Sequence, residues 1–243
     1  MSRRGTGGEQ VIIMLEELKI KVLNANLDLV KNGLVLFTWG NVSAIDRKSG
    51  LVAIKPSGVK YGDMAAEDIV IVDLDGNVVD GSLKPSSDTP THLELYRAHK
   101  EMGGIVHTHS TYATAFAQAG KDIRVYGTTH ADYFYGDIPC SCSLTEREMA
   151  AYEKNKGVVI NETFENKDVV AIPACLVKNH GVFAWGRDAD EAVYHATVAE
   201  EIAKMAYLTE TLGCSQRLPQ YVADKHYNRK HGKNAYYGQN TKY

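Results

Sequence analysis

Two histidines placed two residues apart, His107 and His109, are the strongest chemical signal in the chain. They end the segment GGIVHTHS at 103–110, whose apolar beginning predicts a buried strand. Because alternate residues of a strand point to the same face, the two imidazoles are expected side by side. Such a pair is half of a zinc site, although two hydrogen-bonded histidines at a strand end are the simpler interpretation.

A third imidazole, His180, occurs in KNHG at 178–181, where a predicted strand meets a turn. Taken alone, a loop histidine without any ligand is an equal alternative. With His107 and His109 it makes three imidazoles, the number with which zinc commonly keeps one position open. Asp88 precedes a predicted helix, where it either stabilises the helix dipole or supplies a carboxylate beside the metal. An open Lewis-acidic metal suits reactions that develop negative charge next to a carbonyl.

Two short segments of small residues, Ser57-Gly58 and Ser86-Ser87, are candidates for holding a phosphate group, and Asn41, which follows Gly40, could donate its amide to substrate oxygens. Small residues let backbone N–H groups approach an anion, and the hydroxyl and amide groups add donors. Ordinary turns are the more common explanation for such pairs. Lys55 could pair with a phosphate, although a solvated surface lysine is the more common explanation for a lysine in such a segment.

Titratable residues also collect in the segment TTHADYFYG at 128–136. Asp132 lies there between apolar neighbours and could move protons, with an Asx-turn as the alternative. His226 belongs to the basic stretch DKHYNRKHG at 224–232, whose composition is typical of a solvated face. Tyr237 could pack on a neighbouring subunit or donate a proton, and the sequence by itself leaves both open.

Periodicity and turn residues predict the elements that must position these groups. Strands form hairpins here instead of alternating strictly with helices, which favours one α/β domain with a mixed or antiparallel sheet over a Rossmann sheet. Residues 127–139 are expected to be irregular, and the last 25 or so residues have no clear core face. The expected helices are 15–32, 89–100, 110–119 and 189–212, and the expected strands are 42–46, 51–54, 69–74, 78–79, the strand that ends at the histidine pair, 169–172, 175–178 and 181–185.

Composition excludes several classes of protein. The net charge of −3 provides no basic field for nucleic acid, and no apolar run approaches the ~18 residues of a membrane span. The beginning of the chain lacks the apolar region of a signal peptide, and the four cysteines form no CxxC pair, so we expect a cytoplasmic protein. Residues 1–13 are expected to be a disordered leader, 14–239 the domain, and 240–243 a tail.

Together, these segments resemble the class II aldolase/epimerase family, and within it the L-ribulose-5-phosphate 4-epimerases. The resemblance runs from about Met14 to Gln239, nearly the whole chain. Several of the matching segments are long and contain unusual residue types, so their combination is specific. They are FTWGNVSAID, IKPSGV, KPSSDTPTH, GGIVHTHS, GTTHADYFYGDIPC, NHGVFAWG, DKHYNRKHG and AYYGQ.

The resemblance implies a three-layer α/β/α fold around a mainly antiparallel sheet, assembled as a homotetramer with active sites between subunits. It implies one zinc ion per subunit, and it places Gly40-Asn41, Ser57-Gly58 and Ser86-Ser87 around the substrate phosphate. Asp132 looks like one acid/base and Tyr237, from an adjacent subunit, like the other, while His226 matches a position near the site. The implied zinc ligands are His107, His109, His180 and Asp88.

The implied reaction interconverts L-ribulose 5-phosphate and D-xylulose 5-phosphate by breaking and re-forming the C3–C4 bond. One alternative is a class II aldolase that resembles L-fuculose-phosphate aldolase, although those enzymes tend to have Glu where this chain has Asp88. Another is a non-catalytic scaffold like the adducin head domain, against which all three histidines argue. Arabinose or ascorbate catabolism, and replacement of zinc by another divalent ion, both remain open.

Overall fold

A seven-stranded sheet forms the centre of the protein, and every strand pair in it is antiparallel. The computed structural model describes residues 6–213 and 216–237. In chain order the strands are β1 Asn41–Asp46, β2 Leu51–Ile54, β3 Val70–Val72, β4 Val78–Asp80, β5 Gly104–Thr108, β6 Ala174–Val177 and β7 Gly181–Gly186. Across the sheet they lie in the order β4-β3-β2-β1-β5-β7-β6.

Helices cover the sheet, and their bounds fix which loops reach the candidate site. In the described residues they are α1 Thr6–Lys31, α2 Thr89–Ala98, α3 Thr111–Ala119, α4 Thr128–Ala131, α5 Tyr152–Thr163, α6 Ala189–Thr211 and α7 Gln220–His231. Short 3-10 helices occur at Tyr61–Asp63, Ala66–Asp68 and Glu146–Ala151. Within the described ranges, no helix has both the length and the apolar character needed to cross a bilayer.

The histidine strand β5 lies between β1 and β7, in the interior of the sheet. His107 pairs with Asn41 on one side and with Phe183 on the other, so these three side chains share a face. That face is covered by α2, since the Ser43 hydroxyl lies 2.7 Å from His92 Nδ1 and 2.8 Å from the hydroxyl of Tyr96. The interior position of β5 therefore holds His107 rigidly beneath a helical layer.

Helices α1, α3 and α6 cover the opposite face. The Asn26 side chain of α1 accepts a hydrogen bond from Val42 N–H and donates one to Val42 C=O, which ties α1 to β1. With α2 and α5 on the other side, the architecture is three-layered. The predicted fold class, a single α/β domain with helices around a mainly antiparallel sheet, is confirmed.

The bounds of helices α1 and α2 differ from those predicted. Helix α1 begins at Thr6, so the backbone is helical across the boundary at residue 13 where the leader was expected to end. Helix α2 begins at Thr89, with Asp88 as its N-terminal flanking residue, and ends at Ala98, two residues before the predicted end. The short tail predicted at 240–243 lies outside the described residues.

The strand predicted at 169–172 is wrong. Asp168 accepts hydrogen bonds from the N–H groups of Val170 and Ala171, and its carbonyl accepts one from Ile172, so the segment forms a turn. Helices α5 and α7 were not predicted. Neither helix has a wide apolar face. Helix α5 carries many polar residues, and no residue of α7 is fully buried.

Glycine in β7 is required where α6 begins. A Cβ built on Gly186 would lie 2.8 Å from Ala192 N and 2.8 Å from Glu191 Cβ. The opposing Gly104 of β5 would meet the backbone of Asp188 and Ala189 in the same way. These two glycines let the first turn of α6 lie directly on the sheet.

We therefore expect Gly186→Ala to destabilise the protein by about 1–3 kcal/mol, because a well-packed interior tolerates an added methyl group poorly. Thermal unfolding measures this, with each kcal/mol lowering Tm by roughly 2–4 °C for a chain of this size. Gly62→Ala is the matched control, since its Cβ would meet nothing within 4 Å. Equal melting temperatures for the two variants would contradict the close approach of α6.

Candidate metal centre and active site

Three imidazole rings meet where β5 ends and β7 begins. His107 Nε2 lies 3.1 Å from His109 Nε2 and 3.1 Å from His180 Nε2. One ring nitrogen from each of the three histidines lies within 4.8 Å of the other two. His107 is 1% exposed, His180 is half-buried and His109 is exposed, so the group runs from the core to the surface. The sequence prediction that these three side chains converge is confirmed.

The hydrogen bonds around the rings leave lone pairs facing one another. His107 Nδ1 lies 3.0 Å from the carbonyl of Val182, which only accepts, so Nδ1 carries the proton and Nε2 a lone pair. The ammonium of Lys156 only donates, and it lies 3.3 Å from His180 Nε2, which therefore also presents a lone pair. Two lone pairs 3.1 Å apart repel unless a cation lies between them. The donor set thus fits a divalent metal ion.

Burial keeps the rings neutral, as metal ligands must be. It lowers the pKa of His107 to about 3 and that of His180 to about 2. Asp88 acts to raise both pKa values and Lys156 to lower them, and burial is the largest cause. Burial also lowers the pKa of His109. At neutral pH the site is therefore ready to bind a metal without first losing protons.

Asp88 lies beside this group but is not a member of it. Its Oδ1 accepts a 2.5 Å hydrogen bond from Lys156 Nζ, and its Oδ2 accepts one of 2.8 Å from Asn41 Nδ2. Burial acts to raise the pKa of Asp88, but His107 and Lys156 outweigh burial and lower it. Asp88 is therefore a charged partner of Lys156, and its role as a fourth metal ligand stays a prediction.

Lys156 reaches this position because α5 packs unusually close to α2. A Cβ on Gly157 would lie 2.6 Å from Glu94 Cβ and 3.0 Å from Thr91 C=O, so only glycine permits the approach. The contact places Lys156 of α5 next to Asp88, which flanks the start of α2. The sequence analysis did not identify Lys156, because no local pattern distinguishes a buried lysine from a solvated one.

The three predicted phosphate-holding segments come together next to the metal centre. Asn41 Nδ2 donates to Ser86 Oγ at 3.0 Å as well as to Asp88. Ser57 N–H donates to Lys84 C=O at 2.9 Å, and Ser86 N–H donates to Lys55 C=O at 3.0 Å, which ties the two loops together. Gly40 has a φ of +83°, and a Cβ there would lie 2.6 Å from His107 C=O. Ser57, Gly58 and Ser87 are exposed at the rim of this surface.

Lys55 is not the surface lysine that its type suggests. It is 1% exposed, and its ammonium donates to the carbonyls of Val59 at 2.8 Å and Pro56 at 3.3 Å. Burial lowers the pKa of Lys55 to about 8. Its contacts brace the loop that carries Ser57, and a direct contact of Lys55 with phosphate stays a prediction.

Asp132 belongs to a second cluster, built by α7. Arg229 binds its carboxylate through Nε at 2.9 Å and Nη2 at 2.6 Å, and His226 Nδ1 lies 3.0 Å from Oδ1. Burial acts to raise the pKa of Asp132, but the hydrogen bonds from Arg229 and His226 outweigh it and lower the pKa. Tyr237 joins the cluster because Arg229 and Lys230 lie over its ring, at 4.7 and 4.6 Å from the centroid.

The two clusters lie at opposite ends of β7. His180 immediately precedes Gly181, whereas a cavity of about 370 Å³ at the Gly186 end is lined by Tyr133 and by His231 of α7. The backbone of Asp132 accepts a hydrogen bond from His231. The strand between these ends is about 17 Å long. In the described residues no hydrogen bond or ring contact joins the clusters, so the structure does not bring Asp132, His226 or Tyr237 to the histidines of the same chain.

Comparison with known proteins identifies the family. The model of the Class II Aldolase and Adducin N-terminal domain family matches residues 20–207, more than half of the chain. The chain belongs to this family. All three histidines, both serine-containing segments predicted to hold phosphate and Asp132 lie inside the matched range, whereas His226 and Tyr237 follow it.

Solved structures of the class II aldolase fold are similar along almost their whole length. An L-fuculose 1-phosphate aldolase is 27% identical, with 88% of this chain and 95% of that chain covered and a TM-score of 0.75. The L-fuculose 1-phosphate aldolase from Glaciozyma antarctica PI12 is 20% identical, with 90% and 84% covered and a TM-score of 0.74. The L-fuculose-1-phosphate aldolase from Thermus thermophilus is 24% identical, with 82% of this chain and 97% of that chain covered and a TM-score of 0.64. At these low identities, the structures from Glaciozyma antarctica and Thermus thermophilus show similarity of fold only.

Membership of the class II aldolase family and the histidine geometry lead to one expectation about metal content. His107→Ala should lower the affinity for zinc by at least about 100-fold, since even the loss of a hydrogen-bond partner of a ligand costs 10- to 100-fold. Equilibrium dialysis followed by elemental analysis measures it. The control is His99→Ala, which removes a histidine whose ring is hydrogen-bonded to Asn161, away from the three imidazoles. Stoichiometric zinc at unchanged affinity in the His107 variant would refute the ligand set.

Proposed function

We propose that the protein is a zinc-dependent L-ribulose-5-phosphate 4-epimerase that interconverts L-ribulose 5-phosphate and D-xylulose 5-phosphate. The observation that carries this proposal is the adjacency of two features. One ring nitrogen from each of three histidines converges at His107, and an exposed, hydroxyl-rich pair of loops lies next to them. A metal and a phosphate subsite side by side are what a phosphorylated ketose requires. We infer one zinc ion per subunit, held by His107, His109 and His180.

The ion would supply positive charge where negative charge develops on the ketose oxygens during C3–C4 cleavage. The chain's own residues hold the rest of the substrate. Gly40-Asn41, Ser57-Gly58 and Ser86-Ser87 offer backbone N–H groups, hydroxyls and an amide to the phosphate. A firm hold on the phosphate keeps the cleaved two-carbon fragment bound while its carbonyl turns, so that the new bond forms on the opposite face.

Two proton-transferring groups are needed, one on each side, because the C4 oxygen changes sides. We assign proton acceptance to Asp132, whose lowered pKa keeps it a carboxylate at neutral pH, and proton donation to Tyr237. His226 orients Asp132 through its 3.0 Å contact. Tyr237 contacts the same Arg229 that binds Asp132, so one subunit would supply both groups, one to each side of the substrate.

Both groups would come from an adjacent subunit. The support is the length of β7, since about 17 Å of strand separates the two clusters within one chain. A pentulose phosphate is too short to contact the histidines and the Asp132 cluster of the same chain. We therefore propose a homotetramer in which the Asp132 cluster of one subunit meets the histidines of its neighbour. The accessible surface of the cluster, where Tyr237 is exposed, is suited to such an interface.

A second candidate is a sugar-phosphate aldolase that releases its aldehyde product. The similar structures that bear the name L-fuculose 1-phosphate aldolase favour it. Asp88, in place of the Glu typical of those aldolases, favours the epimerase. The adducin-like scaffold is disfavoured by the three converging imidazoles, which a protein without metal chemistry would not need.

The products of L-ribulose 5-phosphate decide between these functions. Zinc-loaded protein should convert it to D-xylulose 5-phosphate, detected by NMR of the equilibrated mixture. Asp132→Asn and Tyr237→Phe should each lower turnover by at least about 100-fold, the range expected for losing a general acid or base. Arg97→Gln is a matched control, since Arg97 is exposed on the protein surface, where it donates to Glu94 and to a backbone carbonyl. Free aldehyde from L-fuculose 1-phosphate, with no epimerisation, would support the aldolase instead.

Mixing two inactive variants tests the shared site. His107→Ala retains Asp132, and Asp132→Asn retains the histidines, so reassembled mixtures should regain about one quarter of wild-type activity by random pairing. The matched control mixes His107→Ala with His180→Ala, in which every site keeps a damaged set of histidines. If the mixture of His107→Ala with Asp132→Asn regained no more activity than the control mixture, the whole site would lie within one chain and the subunit assignment would be overturned.

A further inference from the structure

Lys156 has an environment that substrate binding does not explain. It is 0% exposed, so it cannot contact a sugar phosphate. Its Nζ lies 2.5 Å from Asp88 Oδ1 and 2.5 Å from Glu153 Oε2, on two sides of the ammonium. A buried ammonium is costly unless carboxylates accompany it. The fold thus maintains a complete buried ion group directly behind the candidate metal centre.

This ammonium competes with a metal for one ligand atom. At 3.3 Å from His180 Nε2, Lys156 donates to the lone pair through which that histidine would bind an ion. One lone pair serves one electrophile at a time. A metal that binds His180 must therefore displace this hydrogen bond, and it then faces a positive charge a few ångströms away, which opposes binding.

The same ammonium also controls Asp88. Oδ1 is taken by Lys156 and Oδ2 by Asn41 Nδ2, so both carboxylate oxygens have strong partners. The side chain is 9% exposed and lies beside the histidines without joining their group. Without Lys156, nothing in the described contacts would hold Oδ1 away from a cation at the three imidazoles.

We propose that Lys156 is a positioning residue that sets the affinity and the coordination number of the metal centre. It holds Asp88 outside the ligand set, in contrast to the four ligands that the resemblance implies, so that a bound ion has three imidazoles and an open position for the substrate oxygens. Because it also competes with the ion for His180, it weakens metal binding. This inference rests on the metal centre proposed above, and it is independent of which sugar phosphate is converted.

Lys156→Met removes the charge and keeps most of the side-chain volume. Zinc titration of the whole protein against a chromophoric chelator should give a Kd at least tenfold lower than that of the wild type. With Co²⁺ in place of zinc, the visible absorption should change to that of a centre with one more ligand, because Asp88 joins it. Lys154→Met is the matched control, an exposed lysine on the same helix, and should leave both readouts unchanged.

Two double variants separate the causes and protect the test against misfolding. Glu153→Gln with Lys156→Met removes one positive and one negative charge, preserves the net buried charge, and should retain the gain in affinity. Asp88→Asn with Lys156→Met removes the released carboxylate, and its Co²⁺ spectrum should match that of Asp88→Asn alone.

The inference would be overturned if folded Lys156→Met and the double variant with Glu153→Gln kept the zinc affinity and the Co²⁺ spectrum of the wild type. That result would leave the metal centre intact. A wild-type protein that binds no zinc would instead overturn the metal centre itself, and the role of Lys156 with it.

Discussion

Facing nitrogen lone pairs are the physical constraint around which this structure is arranged. His107 points its Nε2 toward His109 and His180 because the Val182 carbonyl holds its only proton on the other side of the ring. Bringing such groups together stores repulsion that a hydrogen bond network cannot fully remove. Interior strands fix His107, the turn before β7 supplies His180, and a buried lysine partly neutralises the lone pair of His180. A divalent cation bound by the three ring nitrogens would remove this repulsion between lone pairs.

The sequence predicts this centre because the strand period is simple. Residues 107 and 109 fall on one face of any strand, and the neighbouring Gly-Ile-Val segment shows where that strand begins. His180 and the two serine segments are candidates from their local residues, and the resemblance to a known family places them with the histidine pair although they lie far apart along the chain. Their contacts, such as Asn41 with Ser86 and Asp88, are tertiary and have no local signal.

Other features were beyond local patterns for identifiable reasons. Lys156 is buried only because Gly157 lets α5 approach α2, and neither fact can be read from α5 alone. The basic composition of α7 indicates a solvated face, but Arg229 directs its charge to Asp132, far earlier in the chain. Val169–Ile172 has the composition of a strand, and the carboxylate of Asp168 turns it into a loop. In each case a polar side chain overrides an apolar or charged pattern.

The metal position is the central claim, and anomalous diffraction tests it most directly. Crystals of zinc-loaded protein measured on both sides of the zinc absorption edge should give one strong peak per subunit, about 2.0–2.1 Å from Nε2 of His107, His109 and His180. A peak elsewhere in the subunit, or none at the three imidazoles in protein that contains stoichiometric zinc, would contradict the account.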